Sequence, residues 1–203
     1  MVLQFSILLR WCIVMVNGQD FERDLVKAFN AFFEQHGTKA IAYRKLQTRY
    51  QPQIFDIMVD CRGNELYLAI ECKQVNSDNY DTVYFSHGFS NTKGVHQIKR
   101  ESDWLDLSGR NGLLAVESWS PSHRKRKAFL IPWHIVEFHF LRGDKNIPQS
   151  VITSCPCLHK QGGKYIIDTD DMAELVRRLD NPPRKIPRKW MQKNKSIIKK
   201  GDE

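Results

Sequence analysis

The sequence predicts an α/β protein: a single domain of helices and strands, followed by a basic C-terminal tail. Three observations carry this expectation. An amphipathic helical pattern occupies 19–36, two strand-like runs around a short polar turn occupy 54–75, and helical and apolar strand-like patterns alternate over 94–138. With 203 residues, 41% of them hydrophobic, the chain can bury one full core and is short for two. The expected boundaries are an N-terminal extension over 1–16, the domain over 17–180 and a flexible basic tail over 181–203.

The first sixteen residues are apolar, but Arg10 interrupts them, no basic residue precedes them and no small-residue cleavage site follows. Neither a signal peptide nor a membrane span fits. Met15 stands just before Asn17-Gly18-Gln19-Asp20, where a helix is expected to begin. It is therefore the expected first residue, the alternative being that residues 1–14 pack as an extra segment. In the helix itself Phe21, Leu25, Phe29 and Phe32 recur at spacings of four and three, with Val26 and Phe33 beside them. Glu22 falls on the same core-facing stripe, which suits an acidic group only at the edge of a site. Gly37 ends the helix, a strand follows at 39–44, and Arg44-Lys45 with Arg49 and Tyr50 form a basic loop. That loop either grips phosphates or is simply solvated.

The central hairpin is Ile54-Phe55-Asp56-Ile57-Met58-Val59-Asp60, a turn at Cys61-Arg62-Gly63-Asn64, and Glu65 to Val75. Strand alternation sets Glu71 and Lys73 on one face with Ala69, and Leu68, Ile70 and Cys72 on the other. A turn centred between Arg62 and Gly63 sets Asp56 opposite Ala69 and diagonal to Glu71. Diagonal neighbours lie about 7–8 Å apart at the backbone, near enough for two carboxylates to share a divalent cation. Burying Asp, Glu and Lys on one strand face is costly unless they are paired or hold a metal. The plain alternative is a solvated face with an ion pair.

A long polar connection over 76–93 follows, then a helix over 94–105 with Val95, Ile98 and Leu105 inward and Gln97 near its start. Residues 113–117 and 128–131 read as strands, and Arg124-Lys125-Arg126-Lys127 forms a basic hairpin tip that either touches a polyanion or solubilises a turn. A helix is expected after Pro132, and another from Asp168, with Met172, Leu175, Val176 and Leu179 as its stripe. Cys155, Cys157 and His159 offer three soft ligands within five residues, but no fourth follows at a recognisable zinc spacing.

Lys and Arg outnumber Asp and Glu by 31 to 23, for a formal charge of +8. Residues 184–200, which include Lys185, Arg188 and Lys189, carry eight basic and no acidic side chains, so without them the charge falls to zero. A polyanionic partner is implied, and the tail is where the excess sits. Five cysteines at irregular spacing do not make a disulfide framework, and a reducing, cytoplasmic setting is expected. No apolar run reaches the roughly 18 residues a span needs.

A helix with an acidic residue, a strand with Asp, a strand with Glu-x-Lys and a helix with Gln, in that order, resemble the PD-(D/E)XK nuclease superfamily. Within it the chain looks most like Holliday junction resolvases of the archaeal Hjc and bacterial RecU type. Glu22-Arg23 matches the family's opening Glu-Arg pair, Arg44 its basic residue after the first helix, and Asp56, Glu71 and Lys73 its metal-binding and lysine positions. His96-Gln97 and Leu130-Ile131-Pro132 look more like the RecU type. The resemblance covers roughly 18–150. Asp56 follows Gly37 by only 19 positions, too few for the RecU stalk, and Phe55 replaces the proline of the superfamily's name.

The resemblance implies a restriction-endonuclease-like core, a mixed central β-sheet flanked by helices, and a Mg²⁺-dependent endonuclease, with Mn²⁺ as a substitute ion. It also implies a homodimer acting on four-way DNA junctions. Asp56, Glu71 and the Cys72 backbone carbonyl would hold the metal. Lys73 would orient or deprotonate the water, Glu22 would act through water, and Gln97 would position Lys73 or the phosphate. DNA contacts would come from Arg23, Arg44, Lys45, Arg49, Arg124, Lys125, Arg126, Lys127, Lys185, Arg188 and Lys189. A restriction or repair nuclease on linear or nicked duplex is the alternative within this chemistry, and a non-catalytic DNA-binding module is the alternative outside it.

Overall fold

The structure, a computed structural model, describes residues 18–45, 54–62, 66–78, 82–123 and 125–180. The extension with Met15, Arg49, the hairpin turn at 63–65, Arg124 and the tail with Lys185, Arg188 and Lys189 lie outside the described residues.

The elements run α1 (Gly18–Gln35), β1 (Ala40–Arg44), β2 (Ile57–Cys61), β3 (Leu68–Asn76), α2 (Phe85–Gly88), β4 (Asn91–Thr92), β5 (Val95–His96), α3 (Gln97–Ser108), β6 (Asn111–Ser120), β7 (Lys125–Pro132), α4 (Trp133–Leu141), α5 (Gln149–Thr153), β8 (Cys157–Gln161), β9 (Lys164–Ile166) and α6 (Thr169–Asp180). Seven strands form one sheet in the order β1-β2-β3-β6-β7-β8-β9, with β4 and β5 as a separate hairpin. Every neighbouring pair in the large sheet is antiparallel except β3 and β6. The parallel step requires a crossover, and α3 lies in that connection. The result is the expected mixed sheet between helices.

Alternation along the strands divides the core in two. On one face Phe21, Leu25, Phe29 and Phe33 of α1 and Leu175 of α6 pack on Ile57, Val59, Leu68 and Ile70. On the other, Phe55, Ile98, Leu105, Trp133 and Val136 pack on Met58, Ala69, Leu114 and Val116. Each fully buried large side chain contributes about 1.5–3 kcal/mol, so the phenylalanine stripe is enough to seat α1 firmly. Gly112 marks the closest approach on the second face, because a Cβ there would stand 2.4 Å from Leu105 and 2.6 Å from Trp133.

Two expectations need correction. The register of β2 on β3 is shifted by two residues from the expected one, so Met58 and not Asp56 faces Ala69, and Ile57 pairs with Ile70. A shift of two leaves every side chain on its face and brings Asp56 beside Glu71. Helix α3 begins at Gln97, not at residue 94, because Lys93 and Gly94, with φ of 52° and 75°, close the tight turn between β4 and β5. Among the described residues no helix is long and apolar enough to cross a membrane.

Candidate active site

Glu71 is the centre of the polar cluster. As the fourth residue of β3 it points to the same face as Ala69 and is only 4% exposed. Lys73, two positions on, brings its Nζ to 2.6 Å from Glu71 Oε1 and sits 4.9 Å over the Phe89 ring. Gln97, the first residue of α3, donates from Nε2 to the same Glu71 oxygen at 2.8 Å and to Glu101 Oε1 at 2.7 Å. Its carbonyl end is fixed by the Ser90 N–H at 3.0 Å, so the amide has one orientation. Gln97 thus reaches Glu71 rather than Lys73. His96 caps α3 by accepting from the Ile98 N–H and packs its ring 4.6 Å from Phe140.

Asp56 enters just before β2. Its Oδ2 accepts the Cys72 N–H at 2.7 Å, while its own N–H donates to Ile70 at 3.0 Å and its carbonyl accepts from Lys45 at 2.8 Å. Burial, and then the Glu71 carboxylate, push the Asp56 carboxyl up to about 7 against the lowering effect of the Cys72 N–H. Glu101, one turn beyond Gln97, is 1% exposed, and its Oε2 has no hydrogen-bond partner among the described residues. Burial, followed by Glu71, raises its carboxyl to about 9.

The other expected residues divide sharply. Glu22 is held by Arg44, whose Nε and one terminal nitrogen both lie 2.7 Å from Glu22 Oε2. Glu22 also contributes, more weakly, to raising Asp56. Lys45 lies 5.8 Å over the Trp104 ring. Arg23 is exposed and paired with Asp20 at 2.8 Å, and Arg126 turns to the opposite sheet face, where it meets Glu117 at 3.5 Å. Lys125 and Lys127 are exposed on the face that carries Lys73. Cys155 is buried, with its thiol 3.3 Å from the Val151 carbonyl. Among the described residues no three His, Cys, Asp or Glu side chains converge as a metal-ligand group.

Sequence reasoning missed Glu101 and Ser90. Glu101 stands four residues after Gln97, on the same helical face, and an acid at a position facing the core was the available signal. Ser90 gave none, since its role depends on how the β4–β5 hairpin folds back. The donor set is all oxygen: two carboxylates in mutual repulsion and a neighbouring backbone carbonyl, the composition that suits a hard divalent cation. A buried carboxylate raised to about 7 beside a second acid is also the pattern of a group whose neutralising partner is a ligand.

No protein-family model matches the chain, and no curated protein matches it. Among solved structures, the Hjc Holliday junction resolvase of the archaeal hyperthermophile Archaeoglobus fulgidus aligns with 79% of this chain and 98% of its own, at 18% identity and a TM-score of 0.39.

Proposed function

We propose that the chain is a metal-dependent, structure-specific DNA endonuclease of the PD-(D/E)XK kind that hydrolyses phosphodiester bonds in four-way junctions. The observation that carries this reading is the buried cluster in which Asp56 and Glu71 crowd each other while Lys73 and Gln97 converge on one Glu71 oxygen. A protein gains nothing structural from two carboxylates in such repulsion unless a cation joins them. Mg²⁺ fits, with Mn²⁺ as substitute, held by Asp56, Glu71 and the Cys72 carbonyl. When bound it would supply charge neutralisation on the phosphate and a more acidic water.

The remaining chemistry belongs to the side chains. Lys73, held beside Glu71, orients the attacking water and balances phosphate charge. Gln97, locked by Ser90, fixes the Glu71 oxygen and so the direction of that carboxylate. Arg44 holds Glu22 at the edge of the site, where it acts through water. A junction needs two opposed cuts and each chain carries one cluster, so the working form is a two-fold homodimer.

Incubation with labelled four-way junction, nicked duplex and linear duplex in Mg²⁺ tests this reading. Paired, symmetric cuts in the junction are expected. Cleavage of nicked or linear duplex in preference to junctions makes it a repair or restriction nuclease, and binding without cleavage in Mg²⁺ or Mn²⁺ makes it a DNA-binding module.

A further inference from the structure

Strand register carries the face that holds Glu71 and Lys73 outward into a trough. Lys73 pairs with Val116, which pairs with Phe129 on β7. Two residues on, the row is Val75, Ser118 and Lys127. Beyond it Ser120 pairs with Lys125, and Ser77, whose N–H donates to the Trp119 carbonyl, completes the edge. Residues two apart project to one face, so these rows form a continuous floor. Thr82 and, from α5, Gln149, Ile152 and Thr153 complete a cavity of about 290 Å³.

The chemistry changes along that floor. Near Lys73 it is apolar, and outward it becomes hydroxyl and ammonium. Lys125 and Lys127 form no ion pair among the described residues, whereas Arg126 between them is drawn to Glu117 on the other face. The acid at the far end, Asp78, is occupied: it accepts from the Ser120 hydroxyl at 2.7 Å and from the Ser122 N–H at 2.9 Å. Ser120 also meets His123 Nδ1 at 2.9 Å. Two unpaired cations above an apolar strip match a chain of alternating phosphates and sugars, not a compact anion.

We propose that this trough is a second binding site, a track for the sugar-phosphate backbone of one nucleic-acid strand as it leaves the Asp56–Glu71–Lys73 cluster. Phosphates lie against Lys125, Lys127 and the Ser118 hydroxyl, and sugars lie over Val75, Val116 and Ile152. From Lys73 to Ser77 the floor runs about 13 Å at about 3.3 Å per residue, which spans about four stacked nucleotides at 3.4 Å each. The track takes its direction from the nuclease reading, on which it rests.

The test is DNA binding by the full chain in Ca²⁺, with labelled single strand, duplex and junction, alongside cleavage in Mg²⁺. Lys125→Ala/Lys127→Ala is expected to weaken binding of every form roughly tenfold and to flatten the salt dependence by about one to two phosphate contacts. Lys39→Ala/Lys164→Ala removes the same charge elsewhere and should stay within about twofold of the parent. Ser118→Phe fills the floor without removing charge and should weaken binding comparably, with its melting temperature reporting the fold. If the two double-lysine variants match in affinity and salt slope, the track is overturned whether or not the parent cleaves DNA. If the parent binds through Lys125 and Lys127 but never cleaves, the track stands and the nuclease reading falls. A parent that binds no DNA overturns both.

Discussion

Glu71 and Glu117 are buried carboxylates on adjacent strands of one sheet, on opposite faces, and they live in opposite circumstances. Glu117, 0% exposed, is saturated with donors. The Tyr165 hydroxyl and Gln74 amide each donate to it at 2.6 Å, Arg126 lies at 3.5 Å, and Lys160, itself paired with Asp24 at 2.8 Å, lies at 3.8 Å. Glu71 has Lys73 and Gln97 on one oxygen and two further carboxyls, Asp56 and Glu101, raised in part by its own charge. A satisfied buried acid organises packing, whereas a crowded one stores a charge imbalance that a ligand can relieve. Burial alone therefore does not separate structure from function; the ratio of donors to carboxylates does.

The strongest way to break this contrast is activity. Asp56→Asn, Glu71→Gln and Lys73→Ala are each expected to lower Mg²⁺-dependent cleavage at least about a thousandfold. Calcium-supported binding should persist in the two acid variants, because neutralising a carboxylate near phosphate also removes repulsion. Near-parental cleavage by either acid variant would leave Glu71 no more functional than Glu117.

Stability should invert the ranking. Glu117→Ala leaves Arg126 and Lys160 facing a buried vacancy and is expected to cost about 3–5 kcal/mol in denaturant unfolding. Glu71→Gln keeps the hydrogen bonds in shape and relieves repulsion, so its unfolding free energy should stay within about 1 kcal/mol of the parent or rise. Equal losses at both sites would dissolve the distinction.

Smaller effects follow from pH and metal. Asp56 has a folded value of about 7 against about 3.9 unfolded, so between those values the folded state keeps a proton that the unfolded state has lost. The stability tied to that proton is complete below about pH 4 and lost as pH rises through 7. Asp56→Asn has no such proton to lose, so its melting temperature should gain on the parent from pH 5 to pH 8. A gap constant with pH would remove Asp56 from the crowded cluster. At pH 8, where the parent carboxylates are most crowded, millimolar Mg²⁺ should raise its melting temperature by a few degrees through linkage. Glu71→Gln should lose most of that rise, and Glu117→Gln, if folded, should keep it.

Much of this was legible in the chain. The phenylalanine stripe of α1 announces itself by period, as do Met172, Leu175 and Leu179 of α6. Strand alternation placed Glu71 and Lys73 on one face, and a register shifted by two could not undo this, because an even shift preserves the face. The exact neighbour of Asp56 was lost to that register, which the polar run Cys61-Arg62-Gly63-Asn64 leaves ambiguous in sequence. The helix start at Gln97 was missed because a β4–β5 hairpin of two-residue strands has no periodic signal.

What the sequence by itself determined is the long periodic elements, α1 and α6, with the strands around the cluster, and the shared face of Glu71 and Lys73, since local period and side-chain chemistry suffice for these. Tertiary structure alone decided which buried acids are satisfied. Glu117 finds Tyr165 and Lys160 from the far edge of the sheet, and Glu71 finds Gln97 and Glu101 from the crossover helix. Those partners lie more than 25 positions away along the chain, and only the order in which strands pair brings them within hydrogen-bonding distance.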